Sequence, residues 1–153
     1  MFGEVIAQCA DVGLEDIPRV SIHRSGSSFT VDPPVLDTDR DYLLLVDDLE
    51  ATNDLLICSC QWTNCFKDFL SKEDKDNATA VDNYTVEIEG GARFSAWRKG
   101  PVNIIVTADP TLYIRSVAAT WLCKAFNVKD KKDRIALFRA VKYGEDFDVR
   151  LLH

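Results

Sequence analysis

Long hydrophobic runs are missing from this sequence. No apolar stretch approaches the roughly 20 residues that a membrane-spanning helix needs. Acidic Glu4 and Asp11 interrupt the amino-terminal region where a signal peptide would lie. The sequence therefore predicts no membrane partner and a cytoplasmic location.

A surplus of positive charge is also missing. The chain carries 18 basic and 25 acidic side chains, which gives a net charge of −7. Proteins that read nucleic-acid duplexes usually have a basic surface, because they must neutralise phosphates. The charge balance argues against a duplex-binding surface, and a polyanionic ligand would need a local basic patch or a bound cation.

Histidine is scarce, and the cysteines match no common zinc site. The chain has two His and an odd number of Cys, five in all. The spacings among Cys58, Cys60 and Cys65 fit no usual zinc-binding template. We therefore expect free thiols in a reducing compartment.

The apolar content is that of an ordinary globular protein. The chain has 153 residues, of which 46% are hydrophobic. This length fits one domain, and the aromatic residues supply bulky core material. We expect a single domain over residues 1–153 whose core needs neither disulfides nor structural metal.

Hydrophobic periodicity and turn residues predict an α+β fold, with a small mixed β-sheet packed with helices. The predicted order is one helix, two strands, one helix, three strands and two helices. The predicted bounds are a helix over 1–12, strands over 19–23 and 41–46, a helix over 52–70, strands over 84–89, 94–98 and 102–107, and helices over 110–127 and 131–143. The polar stretch 71–83 is predicted to be a mobile loop.

Two short segments have the composition of a phosphate and metal site. Gly26 and Ser27 follow the first predicted strand, where Gly allows close backbone approach to a phosphate and Ser adds a hydroxyl donor. Asp39 and Asp41 stand two residues apart at the head of an apolar strand, so both carboxylates face the same side. Two hard oxygen ligands with open positions suit Mg²⁺ when substrate phosphates complete the coordination.

The order of these segments resembles a known family. Ser25-Gly26-Ser27, a spacer and then Thr38 to Leu43 resemble the Gly-Ser … Ser-Asp-x-Asp-hydrophobic motif of the DNA polymerase beta superfamily. The chain is more similar still to small, often phage-encoded nucleotidyltransferase-like proteins with a Gly-Ser … Asp-Thr-Asp-x-Asp pattern. Three later segments also fit that group, namely 102–107, Ala119-Thr120 and 130–138. The similarity spans roughly residues 20–144.

The resemblance implies a nucleotidyltransferase-like fold and a Mg²⁺-dependent transfer. A nucleotidyl group would pass from a nucleoside triphosphate to a hydroxyl of RNA, a protein or a small molecule. Asp39 and Asp41 would be the catalytic metal ligands, and Gly26, Ser27 and Arg40 would bind the nucleotide. The resemblance also implies a phage protein that acts in the host cytoplasm.

The third carboxylate of that superfamily has no clear counterpart. Its position corresponds to Asn103, which cannot serve as a carboxylate base. Glu87 or Glu89 would supply it from a neighbouring strand, and Asp37 would add a ligand beside the pair. Arg24, Arg40 and the Arg98-Lys99 turn are candidates to supply positive charge to the phosphates.

Asn103 leads to an alternative hypothesis from another functional class. In that hypothesis the fold is retained, transfer is lost, and the protein acts by binding a host protein, as a host-takeover or anti-defence inhibitor. The acidic surface would suit a partner with a basic face. A role in a toxin–antitoxin pair is a third, weaker hypothesis. An isolated Asp-x-Asp-x-Asp run is also typical of a solvated turn without a site.

Overall fold

The fold is built on a mixed β-sheet. The computed structural model describes residues 11–32, 39–59, 61–65, 78–88 and 90–152, and seven strands lie within these ranges. The strands are β1 (Ser21–Ser25), β2 (Arg40–Leu45), β3 (Thr63–Asn64), β4 (Ala78–Ala80), β5 (Val86–Ile88), β6 (Arg93–Lys99) and β7 (Val102–Thr107). The helices are α1 (Ser27–Thr30), α2 (Leu49–Cys58), α3 (Pro110–Ala125) and α4 (Lys131–Tyr143), with 3-10 turns at Leu14–Asp16 and Val149–Leu152.

The strand order is β1-β2-β7-β6-β5-β4, with β3 also paired to β6. β2 and β7 run parallel, whereas the other recorded pairs are antiparallel. The parallel pair joins two strands that are distant in the sequence, because the chain between them forms α2 and β3 to β6. The α+β class and the mixed sheet predicted from the sequence are confirmed.

Each face of the sheet is covered by its own apolar cluster. On one face, Leu44, Ile104 and Val106 pack with Leu56 of α2 and with Trp62. On the other face, Val86 and Phe94 pack with Leu112 of α3, and α3 lies against β1, β2 and β7. The face covered by α3 is called the helix face below, and it carries the candidate site.

A buried polar network ties α2 to the sheet. The Asn53 amide donates to the Thr85 hydroxyl at 3.0 Å, and its carbonyl accepts from the Ser95 hydroxyl at 2.6 Å. The Trp97 indole donates to the same Ser95 oxygen at 2.9 Å. Buried polar groups are costly unless paired, so this network depends on Asn53 to satisfy two neighbours at once.

The elements of the carboxyl-terminal half follow their local signals. The predicted hairpin strands 94–98 and 102–107 are confirmed as β6 and β7. The Asp109 carboxylate accepts two backbone N–H groups of the first turn of α3, and Gly144 ends α4 with a φ of 70°. These are the N-cap and left-handed stop expected for such residues.

The helix predicted over 52–70 is wrong in extent. α2 starts at Leu49 and ends at Cys58, and Thr63–Asn64 then pairs with β6 as a strand. The Trp62 indole donates to the Val12 carbonyl at 2.8 Å, so this aromatic residue belongs to a tertiary core and not to a helical stripe. Residues 66–70 lie outside the described residues.

Other bounds shift by smaller amounts. The first strand covers Ser21–Ser25 and not 19–23, and a short helix follows it where only a break was predicted. Part of the predicted loop 71–83 is strand β4, whereas its residues 71–77 lie outside the described residues, as does most of the predicted helix 1–12. Within the described ranges, no helix is both long and apolar enough to cross a membrane.

Candidate functional site

Gly26 shapes the site through the side chain that it lacks. It follows the last residue of β1 with φ 73° and ψ 177°, a backbone region that is essentially restricted to glycine. A Cβ atom placed on it would lie 2.0 Å from Oδ2 of Asp41. The bare backbone therefore makes room for a carboxylate, which no other residue at this position would do without displacement.

Four neighbouring strands each contribute one residue to a row that includes Asp41. Asp41 on β2 is the register partner of Ser25 on β1 and of Asn103 on β7, and Asn103 is the partner of Arg98 on β6. Paired residues project from the same side of a sheet. These four residues, here called the carboxylate row, therefore share the helix face.

Asp39 joins the row from just before β2. Its Oδ2 atom lies 2.9 Å from an Arg98 guanidinium nitrogen and accepts a hydrogen bond from the Asn103 amide at 3.3 Å. The Arg98 Nε–H donates to the Gly100 carbonyl at 3.0 Å, which holds the guanidinium over the hairpin turn. The site thus contains two carboxylates, one amide and one fixed cation.

Asp41 has the more unusual electrostatic environment of the two carboxylates. Burial raises the pKa of Asp41 from 3.8 to about 6, and the negative charge of Asp39 adds to that rise. The Asn103 hydrogen bond and the Arg98 charge lower the pKa, but they do not offset burial. A carboxylate that costs free energy to ionise is poised to accept a cation, because a nearby positive charge favours the ionised form.

A cleft of about 450 Å³ opens in front of the carboxylate row. The sheet forms its floor, and Ser116 of α3 together with Lys131 and Lys142 of α4 line it from the helices. Phe138 adds partly exposed aromatic surface, whereas Phe94 is buried beneath the cleft. The cleft therefore combines acidic, basic and aromatic lining, which suits a ligand that has both a charged and a planar part.

Some predicted site residues lie elsewhere. Arg40 is the register partner of Val102, so it projects from the face opposite the carboxylate row. There it lines a second hollow of about 310 Å³ with Tyr42, Trp62 and Lys99. The structure thus does not bring the Arg40 side chain to Asp41.

Two other candidates also project away from the cleft. Glu87 forms an ion pair with Arg93 at 3.3 Å, and their register places both on the face opposite the row. Arg24 donates to the Ser28 hydroxyl at 3.3 Å, and its guanidinium carbon lies 5.6 Å from the centre of the Phe29 ring. Asp37 and Glu89 lie outside the described residues.

Three of the remaining predicted residues line the cleft, and two lie next to those three. Gly26, Asp41 and Asn103 line it together, Asp39 lies beside them, and Ser27 begins α1 next to Gly26. The sequence reasoning missed Ser116, Lys131 and Lys142, since nothing local marks residues on two later helices as neighbours of β2.

The donor set fits Mg²⁺ in kind. Within the described part of the chain, no group of three or more His, Cys, Asp or Glu side chains is arranged to hold a metal ion. Asp39 and Asp41 are hard oxygen donors, and Mg²⁺ is commonly bound through one or two carboxylates with substrate phosphates and water. An incoming Mg²⁺ would have to compete with Arg98 for Asp39.

Comparison with known proteins adds no relative. No protein-family model matches the chain, and neither a curated protein nor a solved structure matches it. The chemical character of the cleft residues is therefore the basis for inferring function.

Proposed function

We propose that this protein binds a nucleoside triphosphate with Mg²⁺ at the carboxylate row and transfers its nucleotidyl group to a hydroxyl acceptor. The acceptor oxygen bonds to the α-phosphorus, and the bond from that phosphorus to the β-phosphate breaks, which releases pyrophosphate. One observation carries the proposal. Gly26 lets the carboxylate of Asp41 lie against the Gly-Ser backbone, so the turn suited to phosphate and the metal ligand adjoin one another. That adjacency is what a metal-bridged triphosphate requires, because the metal must contact protein and phosphate oxygens together.

The protein's residues divide the work by chemical type. Asp39 and Asp41 would hold Mg²⁺, which neutralises phosphate charge when bound. Lys131 and Lys142, on the helix side of the cleft, would attract the phosphates. Phe138, which is partly exposed, offers aromatic surface to the base.

The proposed acceptor is RNA, a protein or a small molecule with a free hydroxyl. Deprotonation of that hydroxyl needs a base, and Asn103 cannot be one. Asp41 is the one carboxylate of the row itself, but metal binding would occupy it. The proposed enzyme would therefore be slow unless the acceptor brings its own base.

Calorimetric binding of ATP, GTP, CTP and UTP, with and without Mg²⁺, tests the proposal. We expect one nucleotide to bind in a Mg²⁺-dependent manner, and we expect Asp41→Asn to abolish that dependence. Glu87→Gln is the matched control, because it removes a carboxylate from the opposite face. Equal binding by parent and Asp41→Asn, or no binding of any nucleotide, would overturn the assignment.

A second candidate function is binding without transfer, and two observations favour it. Asn103 occupies the position to which the family resemblance assigns a third carboxylate, and Arg98 already pairs with Asp39. In this case the protein acts on a host protein as an inhibitor, with the cleft as an inherited feature. Transfer of labelled nucleotide by Asn103→Asp but not by the parent would favour this candidate. Transfer by the parent would exclude it.

A further inference from the structure

Helix α3 is apolar on both of its faces. Leu112, Ala119 and Cys123 are buried against the sheet and α4. The opposite side of the same helix is exposed to solvent and is also apolar. Five residues, here called the α3 stripe, make up most of it: Ile114, Ala118, Trp121, Leu122 and Ala125. A large exposed apolar patch on a helix is a common sign of an interaction surface. Among the described residues, His23 and Phe29 cover part of this face through their contacts with the Trp121 ring.

The exposure of the α3 stripe is large for apolar side chains. Ile114 is 64% exposed and Trp121 is 49% exposed. Charged neighbours do not screen them, because the two basic residues of α3 are tied back. Arg115 donates to the Lys142 carbonyl at 3.3 Å, and Lys124 donates to the Phe29 carbonyl at 2.9 Å. The line from Ile114 to Ala125 therefore remains apolar, although Arg115 and Lys124 are themselves exposed beside it.

The spacing of the α3 stripe is that of a helix-pairing seam. Ile114, Ala118, Trp121 and Ala125 recur at intervals of four, three and four residues. This pattern keeps side chains on one line when two helices pack at a shallow angle. Large and small residues alternate along that line.

The alternation makes the seam complementary to itself in one orientation. When two copies of α3 lie antiparallel about a point between Ala118 and Trp121, each Trp121 faces Ala118 of the other copy. Each Ile114 then faces Ala125. A parallel pair would instead place Trp121 on Trp121 and leave gaps between the alanines, which is the poorer packing.

Charge selects the same face for self-association. The chain carries a net charge of −7, so two copies repel each other over most of their surfaces. α3 contains no acidic residue. Contact through the α3 stripe therefore sets no acidic residue of one helix against an acidic residue of the other.

We propose that the α3 stripe is the interface of a homodimer in which two α3 helices pack antiparallel. The two-fold axis passes between Ala118 and Trp121, and the interface is isologous. One pair of helices of this length buries less than the roughly 800 Å² per partner of a standard stable interface. The dimer is therefore reversible, and its population rises with protein concentration.

Sedimentation equilibrium over a range of concentrations gives the first test. The mass of the parent should rise from 17.2 kDa towards twice that value. Ala118→Glu should stay at the monomer mass where the parent is half dimeric, because it places two charges at the axis. Ile57→Glu, on an exposed apolar residue of α2, should behave as the parent. A parent that is monomeric throughout, or an equal loss in Ile57→Glu, would overturn the proposal.

Cysteine cross-linking tests the orientation. Residues 114 and 125 are eleven apart. At about 1.5 Å per residue they are about 16 Å apart along one helix, beyond the roughly 7 Å that a disulfide spans. Ile114→Cys alone and Ala125→Cys alone should therefore cross-link no more than the parent under the same oxidant. The variant carrying both changes should form a covalent dimer. Cross-linking by either single variant would indicate a parallel pair. Absence of cross-linking in the double variant would show that the two helices are not in contact. Either result would contradict the proposal.

Discussion

Replacing Asp41 by Asn should make the protein more stable at neutral and alkaline pH, although it removes a site residue. Burial raises the pKa of Asp41 from 3.8 to about 6. The folded state therefore binds this proton more tightly than the unfolded state does. The contribution of Asp41 to stability is greatest below about pH 4, falls as the pH rises towards about 6, and is at its minimum above that.

The magnitude follows from the size of the rise. One pKa unit corresponds to about 1.4 kcal/mol, so ionising Asp41 in the folded protein costs about 3 kcal/mol. Asn has nearly the same shape and carries no charge to bury. We therefore expect the free energy of unfolding of Asp41→Asn to exceed that of the parent by up to about 3 kcal/mol at about pH 8, and to match it near pH 4.

Urea unfolding of both proteins across this pH range measures the difference. Asp39→Asn is the matched control, because Asp39 is 39% exposed and pairs with a half-exposed Arg98. Its loss should change stability by only about 0–1 kcal/mol in the unfavourable direction. A parent that is as stable as Asp41→Asn at about pH 8, or a difference that does not vary with pH, would refute the electrostatic reasoning. Added Mg²⁺ should raise the stability of the parent and leave Asp41→Asn unchanged.

Four further outcomes follow from single contacts. Gly26→Ala should lower the free energy of unfolding by about 1–3 kcal/mol through backbone strain alone. Adding Asp41→Gly to that variant should remove the steric clash but not the backbone strain, and unfolding curves of both variants measure the two effects. Asn53→Ala should lower the free energy of unfolding by about 2–4 kcal/mol, because the buried Thr85 and Ser95 hydroxyls each lose a hydrogen-bond partner; a thermal melt measures this. Asp109→Ala should cost about 1 kcal/mol by removing the α3 cap, seen as an earlier urea midpoint. Because burial raises the pKa of Cys123 to about 11, iodoacetamide at neutral pH should leave it unmodified until the protein unfolds, which mass spectrometry of digested protein detects.

The sequence predicts elements well where local chemistry decides them. Asp109-Pro110 carries an N-cap and a first-turn proline, and Gly144 supplies a left-handed stop. The start of α3 and the end of α4 can therefore be predicted from a few residues. The turn at Gly100-Pro101 likewise separates two strands that pair with each other. Such signals need no knowledge of distant residues.

The sequence predicts elements poorly where a distant partner decides them. Leu55, Leu56 and Trp62 have a spacing compatible with one helix, yet Trp62 turns away to bond with Val12. The strand at Thr63–Asn64 exists because β6 offers an edge to pair with. Neither partner is visible in a local window, so the helix was predicted too long.

The site divides in the same way. Motif and spacing predicted that Gly26, Asp39 and Asp41 lie together, and the register of β2 with β7 also places Asp41 beside Asn103. The assignment of Arg40 to the nucleotide was wrong for its side chain, because the alternation that aligns the two carboxylates sends the residue between them to the other face. The ion pair between Arg98 and Asp39 was not legible, since it depends on how the hairpin docks.

The parallel pairing of β2 with β7 has a consequence for how the protein folds. β6 and β7 form a short-range hairpin, which can close in microseconds and brings Arg98 beside Asn103 early. β1 and β2 bring Ser25 beside Asp41 in a separate local event. The two halves meet only when the chain closes a loop of more than fifty residues between β2 and β7, and such non-local pairing is slow. Binding at the proposed nucleotide site, followed during refolding, would therefore report the pairing of β2 with β7, after most secondary structure has formed.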